Sequence, residues 1–103
     1  MKIISWGKEY DVTAYKMYYA NNNALAIRLT AECGPFATLT VNLSESDRLE
    51  KDCAYVDTNN CPWAEQFIEE NKLGEPMGTY GFSGFCSYPL YKFNMDRLKD
   101  WRN

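Results

Sequence analysis

Leu25-Ala26-Ile27-Arg28-Leu29-Thr30, followed by Cys33-Gly34-Pro35 and then Ala37-Thr38-Leu39-Thr40-Val41-Asn42-Leu43, changes hydropathy at almost every residue on both sides of a turn. A period of two places alternate side chains on opposite faces of an extended chain, so each half reads as a strand with one buried face. Leu25, Ile27 and Leu29 line that face in the first half, and Leu39, Val41 and Leu43 in the second. Two such runs joined by a short glycine-proline turn predict a hairpin.

Upstream, Val12, Thr13, Tyr15, Tyr18 and Tyr19 fill residues 9–19 with types that suit a pleated surface, and Asn21-Asn22-Asn23 supplies a turn. Downstream, the charged stretch from Ser44 to Asp52 reads as a loop with one helical turn, and Ala54–Asp57 as a short strand. A helix begins near Pro62, with Asn60 or Cys61 as its cap. Trp63, Ala64, Phe67 and Ile68 form its apolar stripe, and Glu65, Glu69 and Glu70 face water. Lys72 lies in the last turn, Gly74 is the expected left-handed closing residue, and Pro76 forbids continuation.

Beyond Pro76 the chain turns glycine-spaced and aromatic, with Gly78, Gly81 and Gly84 among Tyr80, Phe82, Phe85 and Tyr88. Glycine at that density predicts bulges, tight bends or a loop crossing the sheet. Leu90–Asn94 reads as a final strand, with Pro89 at its start or on a sheet edge, and residues 95–101 as a short helix with Leu98 and Trp101 on one side. The sum is an α+β fold: an antiparallel β-sheet of about five strands with one main α-helix packed on one face. Its 103 residues suit a single domain over 1–103.

The chemistry is constrained by what is missing. The chain has no histidine, which removes Ser-His-Asp and Cys-His sites. Cys33, Cys53, Cys61 and Cys86 form no Cys-x-x-Cys pair, so the cysteines read as small buried thiols, and neither a metal nor a cofactor is expected. Cys61 is the sharpest nucleophile candidate, because a helix start lowers a thiol's pKa. Asp57 and Glu65 oppose that shift, and a thiol-dependent enzyme on Cys61 with Asp57 is an alternative reading only. No run of apolar residues is long enough for a membrane span. The start reaches Gly7, Lys8 and Glu9 too soon for a secretory segment, which predicts a cytoplasmic protein.

Charge is unevenly placed. Between Ser44 and Glu75 nine acids face three bases, while the remainder holds five acids and eight bases. A basic tail of Lys92, Arg97, Lys99 and Arg102 beside aromatic residues admits a nucleic-acid accessory role, but Asp96 and Asp100 interrupt it and the sequence pI is about 4.9. Exposed aromatic rings beside an acidic helix suit a protein partner better. The expected partner-binding residues are Glu65, Glu69, Glu70, Tyr80, Phe82, Phe85 and Tyr88.

Three runs carry a family resemblance: Phe36–Leu43, Tyr55-Val56-Asp57-Thr58-Asn59-Asn60-Cys61-Pro62-Trp63, and Ser83-Gly84-Phe85-Cys86-Ser87-Tyr88-Pro89-Leu90-Tyr91. They resemble domain-of-unknown-function family 4313, short bacterial proteins often carried on Firmicutes mobile elements. The resemblance brings no catalytic residues with it. It implies the company of small acidic proteins that block host nucleases, among them anti-CRISPR and antirestriction proteins. The expected function is a non-enzymatic inhibitor of a phage or mobile element that occludes a host protein such as a CRISPR effector nuclease.

Overall fold

The computed structural model describes residues 1–5 and 7–101. The elements, in chain order, are β1 (Lys2–Ser5), β2 (Lys8–Tyr18), β3 (Leu25–Ala31), β4 (Gly34–Thr38), β5 (Thr40–Val41), β6 (Cys53–Val56), α1 (Ala64–Glu70), β7 (Gly74–Ser83), β8 (Cys86–Phe93) and β9 (Lys99–Asp100). Short 3-10 turns occupy Ser46–Arg48 and Met95–Arg97. The first of these is the single turn expected in the charged loop.

The strands form two sheets. The first runs β1-β2-β3-β4, with β9 added to β2, making five strands, the predicted number, although the strands predicted at Ala54–Asp57 and Leu90–Asn94 fall in the second sheet. The second runs β5-β6-β8-β7. All pairs are antiparallel except β2 with β9. In β2, residues 12–18 pair with β3, while β1 and β9 share the opposite edge at residues 8–11 and 15–16.

The second sheet arises because the alternating run from Ala37 to Leu43 breaks at Leu39. That residue's amide donates to the Ile27 carbonyl of β3 at 2.8 Å, and its carbonyl accepts from the Asp57 amide at 2.9 Å, just past β6. One residue therefore hands the chain from one sheet to the other. Thr40, buried beside it, accepts the Ile27 amide at its hydroxyl (3.1 Å). The expected common inward face of Leu39, Val41 and Leu43 is accordingly divided. Leu39 joins the main core, while Val41 and Leu43 pack with Tyr55 and Tyr88 in a second cluster.

The main core holds Val12, Ala14, Ile27 and Leu29 from the first sheet, Ala54, Val56, Tyr91 and Phe93 from the second, and Ala64, Phe67 and Ile68 from α1. The helix is oriented by rings in series: Tyr10 meets Phe36 at 4.8 Å, Phe36 meets Trp63 at 5.9 Å, and Trp63 meets Phe67 edge-on at 5.9 Å. Such contacts add about 0.5–1.5 kcal/mol each beyond burial.

The helix ends differ from the sequence expectation. No side chain caps the first turn of α1. Instead the Asp57 carboxylate accepts from the Asn60 amide (3.2 Å) and side chain (2.9 Å), fixing the turn that leads into Pro62. At the other end the left-handed residue is Lys72, with φ 53°, and not Gly74. The Leu73 amide donates to the Ile68 carbonyl at 3.0 Å and the Lys72 amide to that of Glu69 at 3.2 Å, the bond pattern of a Schellman closure. Gly74 is needed for a different reason: a Cβ there would lie 2.5 Å from the Lys92 carbonyl oxygen across the ladder.

The glycine-rich segment is a strand. β7 pairs with β8 through a two-residue turn, Gly84–Phe85, with a bulge between Pro76 and Tyr80. Bulge and tight turn match the sequence reading, but β8 begins at Cys86, earlier than the predicted Leu90. Pro89 lies inside it, one residue past the last pair with β6 at Leu90, so its missing donor breaks no bond to that strand. The predicted helix over residues 95–101 is replaced by the 3-10 turn and β9. The Trp101 amide donates to the Lys16 carbonyl (3.0 Å), and the Trp101 ring stands edge-on to Tyr15 at 5.3 Å.

Candidate functional site

α1 lies over the face of the second sheet that carries Tyr91 and Phe93. Where it crosses β7 a groove of about 580 Å³ is lined by Glu65, Gln66, Glu69, Glu75, Pro76 and Tyr91, with Gly74 at its base. Three of these side chains are carboxylates and none is basic. The Tyr91 hydroxyl donates to Glu65 Oε1 at 2.7 Å. Burial, and then that bond, push the Tyr91 phenol well above its usual range, so Tyr91 remains a proton donor throughout the neutral range.

The ladder continues this surface toward the hairpin tip. Pro76 pairs with Tyr91 and Tyr80 with Pro89, two residues along β8, while Phe82 pairs with Ser87. Paired residues share a face and alternate residues keep to it, so Tyr80 and Phe82 lie on the same side of the sheet as the groove. They project past the end of the core, 58% and 67% exposed. Phe85 is fully exposed at the turn, and Met77 is exposed at the bulge.

The structure therefore assembles Glu65, Glu69, Tyr80 and Phe82 on one face, with Phe85 at its end. Two expected residues fall outside it. Glu70 lies in a different groove, beside Lys2, Ile4, Glu9 and Trp63, because it follows Glu69 by one residue and about 100° of helix rotation. Tyr88 is only 7% exposed and packs on Leu43 and Tyr55. Gly81, paired with Tyr88, leaves the space: a Cβ at Gly81 would lie 2.6 Å from Leu43 Cδ1 and 2.7 Å from the Tyr55 ring. Conversely, Glu75, Pro76 and Tyr91 belong to the surface and are missing from the sequence-based set. Their signal was the sequence itself, a strand reading of the Gly74–Ser83 segment, which its glycines and proline obscured.

The thiols do not resemble a nucleophile's environment. Cys53 and Cys61 are buried, whereas Cys33 is exposed and Cys86 half-buried, contrary to the expectation of four buried thiols. Burial, reinforced by Asp57, pushes the Cys61 thiol up to about 11. That is opposite to the shift that activates a catalytic thiol. Cys61 Sγ points at the Thr38 carbonyl, 3.8 Å away. Among the described residues no three Cys, Asp or Glu side chains converge as metal ligands, and no helix is long and apolar enough to cross a membrane.

The basic tail is dispersed. Lys92 pairs with Asp52 at 3.9 Å, Lys99 lies in β9, and Arg102 lies outside the described residues. Arg28, from β3, stacks its guanidinium over Trp101 at 5.1 Å.

Fold and surface together define a small α+β protein of two mostly antiparallel sheets, whose exposed aromatic hairpin stands beside an acidic groove. The chain belongs to the family described as Domain of unknown function (DUF4313), which matches residues 13–103. No curated protein and no solved structure matches the chain.

Proposed function

We propose that this protein is a non-enzymatic binding protein of a phage or mobile element that inhibits a host nuclease by occlusion, as an anti-CRISPR or antirestriction protein does. The observation that carries this reading is the juxtaposition of exposed Tyr80 and Phe82 with the Glu65 and Glu69 carboxylates on one face, Glu75 reaching the groove from the edge of β7. Aromatic anchors supply most of the affinity of protein interfaces, and flanking charge supplies steering and specificity. Nucleases that hold nucleic acid do so in positively charged channels. An acidic surface with apolar anchors competes for such a channel.

The test is addition of the pure protein to a host CRISPR effector or restriction enzyme cutting DNA, with pull-down from host lysate in parallel. Inhibition with recovery of the nuclease supports the proposal. Undiminished cleavage, with no nuclease recovered, overturns it.

A further inference from the structure

We infer that the open edge of β7 is a docking strand: an extended basic segment of the partner pairs with β7 at Tyr80 and Phe82 and seats a lysine or arginine among Glu65, Glu69 and Glu75. This rests on the reading above and adds how the partner is held.

β7 is the last strand of its sheet, and among the described residues no strand pairs with its outer side. The ladder closes at Ser83 and Cys86. Antiparallel ladders alternate between bonded and non-bonded pairs, so counting back from that closing pair turns the amide and carbonyl of Phe82, and those of Tyr80, away from β8. Pro89 opposite Tyr80 fits this count, since it has no amide to offer. Natural sheets guard such edges with proline, bulges or charge. In β7 Pro76 and the bulge guard only the first half.

Beside the second half stands the Glu45 carboxyl. The Glu45 carboxyl is held below its usual range by the Ser44 hydroxyl first, and the Phe82 amide is among the lesser causes. Ser44 donates to Glu45 Oε2 at 2.8 Å. An incoming strand displaces the half-buried Glu45 side chain here.

Charge selects the occupant. The groove flanking this edge holds three carboxylates and no base, so a basic segment is attracted. Tyr80 and Phe82, on the groove side of the strand, give alternate side chains of the added segment apolar partners, the usual division of labour in strand addition.

The probe is a short peptide alternating lysine with valine or threonine, added to the isotopically labelled full chain, with amide hydrogen exchange read by NMR. Controls replace its lysines by glutamate, or alternate residues by proline. Exchange at Tyr80 and Phe82 is expected to slow about tenfold with the lysine peptide and with neither control. Glu69→Gln combined with Glu75→Gln is expected to weaken binding about tenfold, and Glu45→Ala to strengthen it. Phe82→Pro, with folding checked by circular dichroism, removes the outward amide and is expected to abolish protection. Failure of the lysine peptide to bind, or binding without protection of Tyr80 and Phe82, overturns strand addition even where nuclease inhibition stands. Protection that follows protein concentration alone overturns the basic occupant in favour of a second copy. Protection without nuclease inhibition leaves the docking strand intact and removes only the wider reading.

Discussion

The Tyr91 hydroxyl donates to Glu65 Oε1 at 2.7 Å, joining the centre of the second sheet to the exposed face of α1. This bond fixes where the acidic groove begins, and its strength depends on the phenol staying protonated. Tyr91→Phe is expected to cost about 0.5–1.5 kcal/mol, the net value of one such hydrogen bond at a partly solvated carboxylate. Urea unfolding measures it. The phenol's pKa is raised in the folded state, so its stabilising contribution is complete below the unfolded tyrosine value of about 10 and falls as pH rises above it. Wild type is expected to lose stability over that alkaline range with a steeper slope than Tyr91→Phe. Equal slopes would place the titration elsewhere.

Lys72 holds φ at 53° to close the helix. A side chain in that conformation costs about 1–2 kcal/mol that glycine avoids. Part of the gain is returned as glycine's greater freedom in the unfolded chain. Lys72→Gly is expected to raise stability by about 0.5–1 kcal/mol, read as a higher urea midpoint with unchanged slope.

At Gly74 the opposite holds, because the nearest obstacle to a Cβ is the Lys92 backbone carbonyl at 2.5 Å, which cannot rotate aside. Gly74→Ala is expected to destabilise by about 1–3 kcal/mol, the range for overpacking. Phe67→Ala, which empties the contact between α1 and both sheets, is expected to cost about 3–5 kcal/mol. Thermal and urea unfolding rank the two.

The Cys61 thiol, pushed up to about 11 from 9.0, carries about a hundredfold less thiolate than an ordinary thiol at neutral pH. Iodoacetamide at pH 8 is expected to label exposed Cys33 quickly and to leave Cys61 and Cys53 unlabelled until the protein unfolds. Rapid labelling of Cys61 in the folded chain would restore the thiol-enzyme reading.

Glu69 and Glu70 are neighbours in sequence but line different grooves. If the proposed surface is correct, Glu69→Lys is expected to weaken nuclease inhibition about tenfold, and Glu70→Lys by about threefold or less. Inhibition by the wild type is also expected to weaken as salt rises. Equal effects of the two reversals would indicate a diffuse electrostatic role and not a defined surface.

What the amino-acid sequence determined by itself was local. The alternation of Leu25, Ile27 and Leu29, the tyrosine-rich strand before it, the short strand ending near Asp57 and the stripe of Ala64, Phe67 and Ile68 all follow from periodicity, which each segment carries within itself. The composition likewise excluded histidine chemistry. Only the tertiary structure decided that Leu39 divides its strand between two sheets, because the choice depends on Ile27 and Asp57, each 12 or more residues away along the chain. The same holds for Lys72 in place of Gly74 as the helix closure, and for Tyr88, buried against Leu43 and Tyr55 from distant parts of the chain. The candidate surface was half legible for this reason. Glu65 and Glu69 could be placed on a helix face from spacing alone, but their meeting with Tyr80 and Phe82 rests on the register of β7 with β8, which is set by long-range pairing.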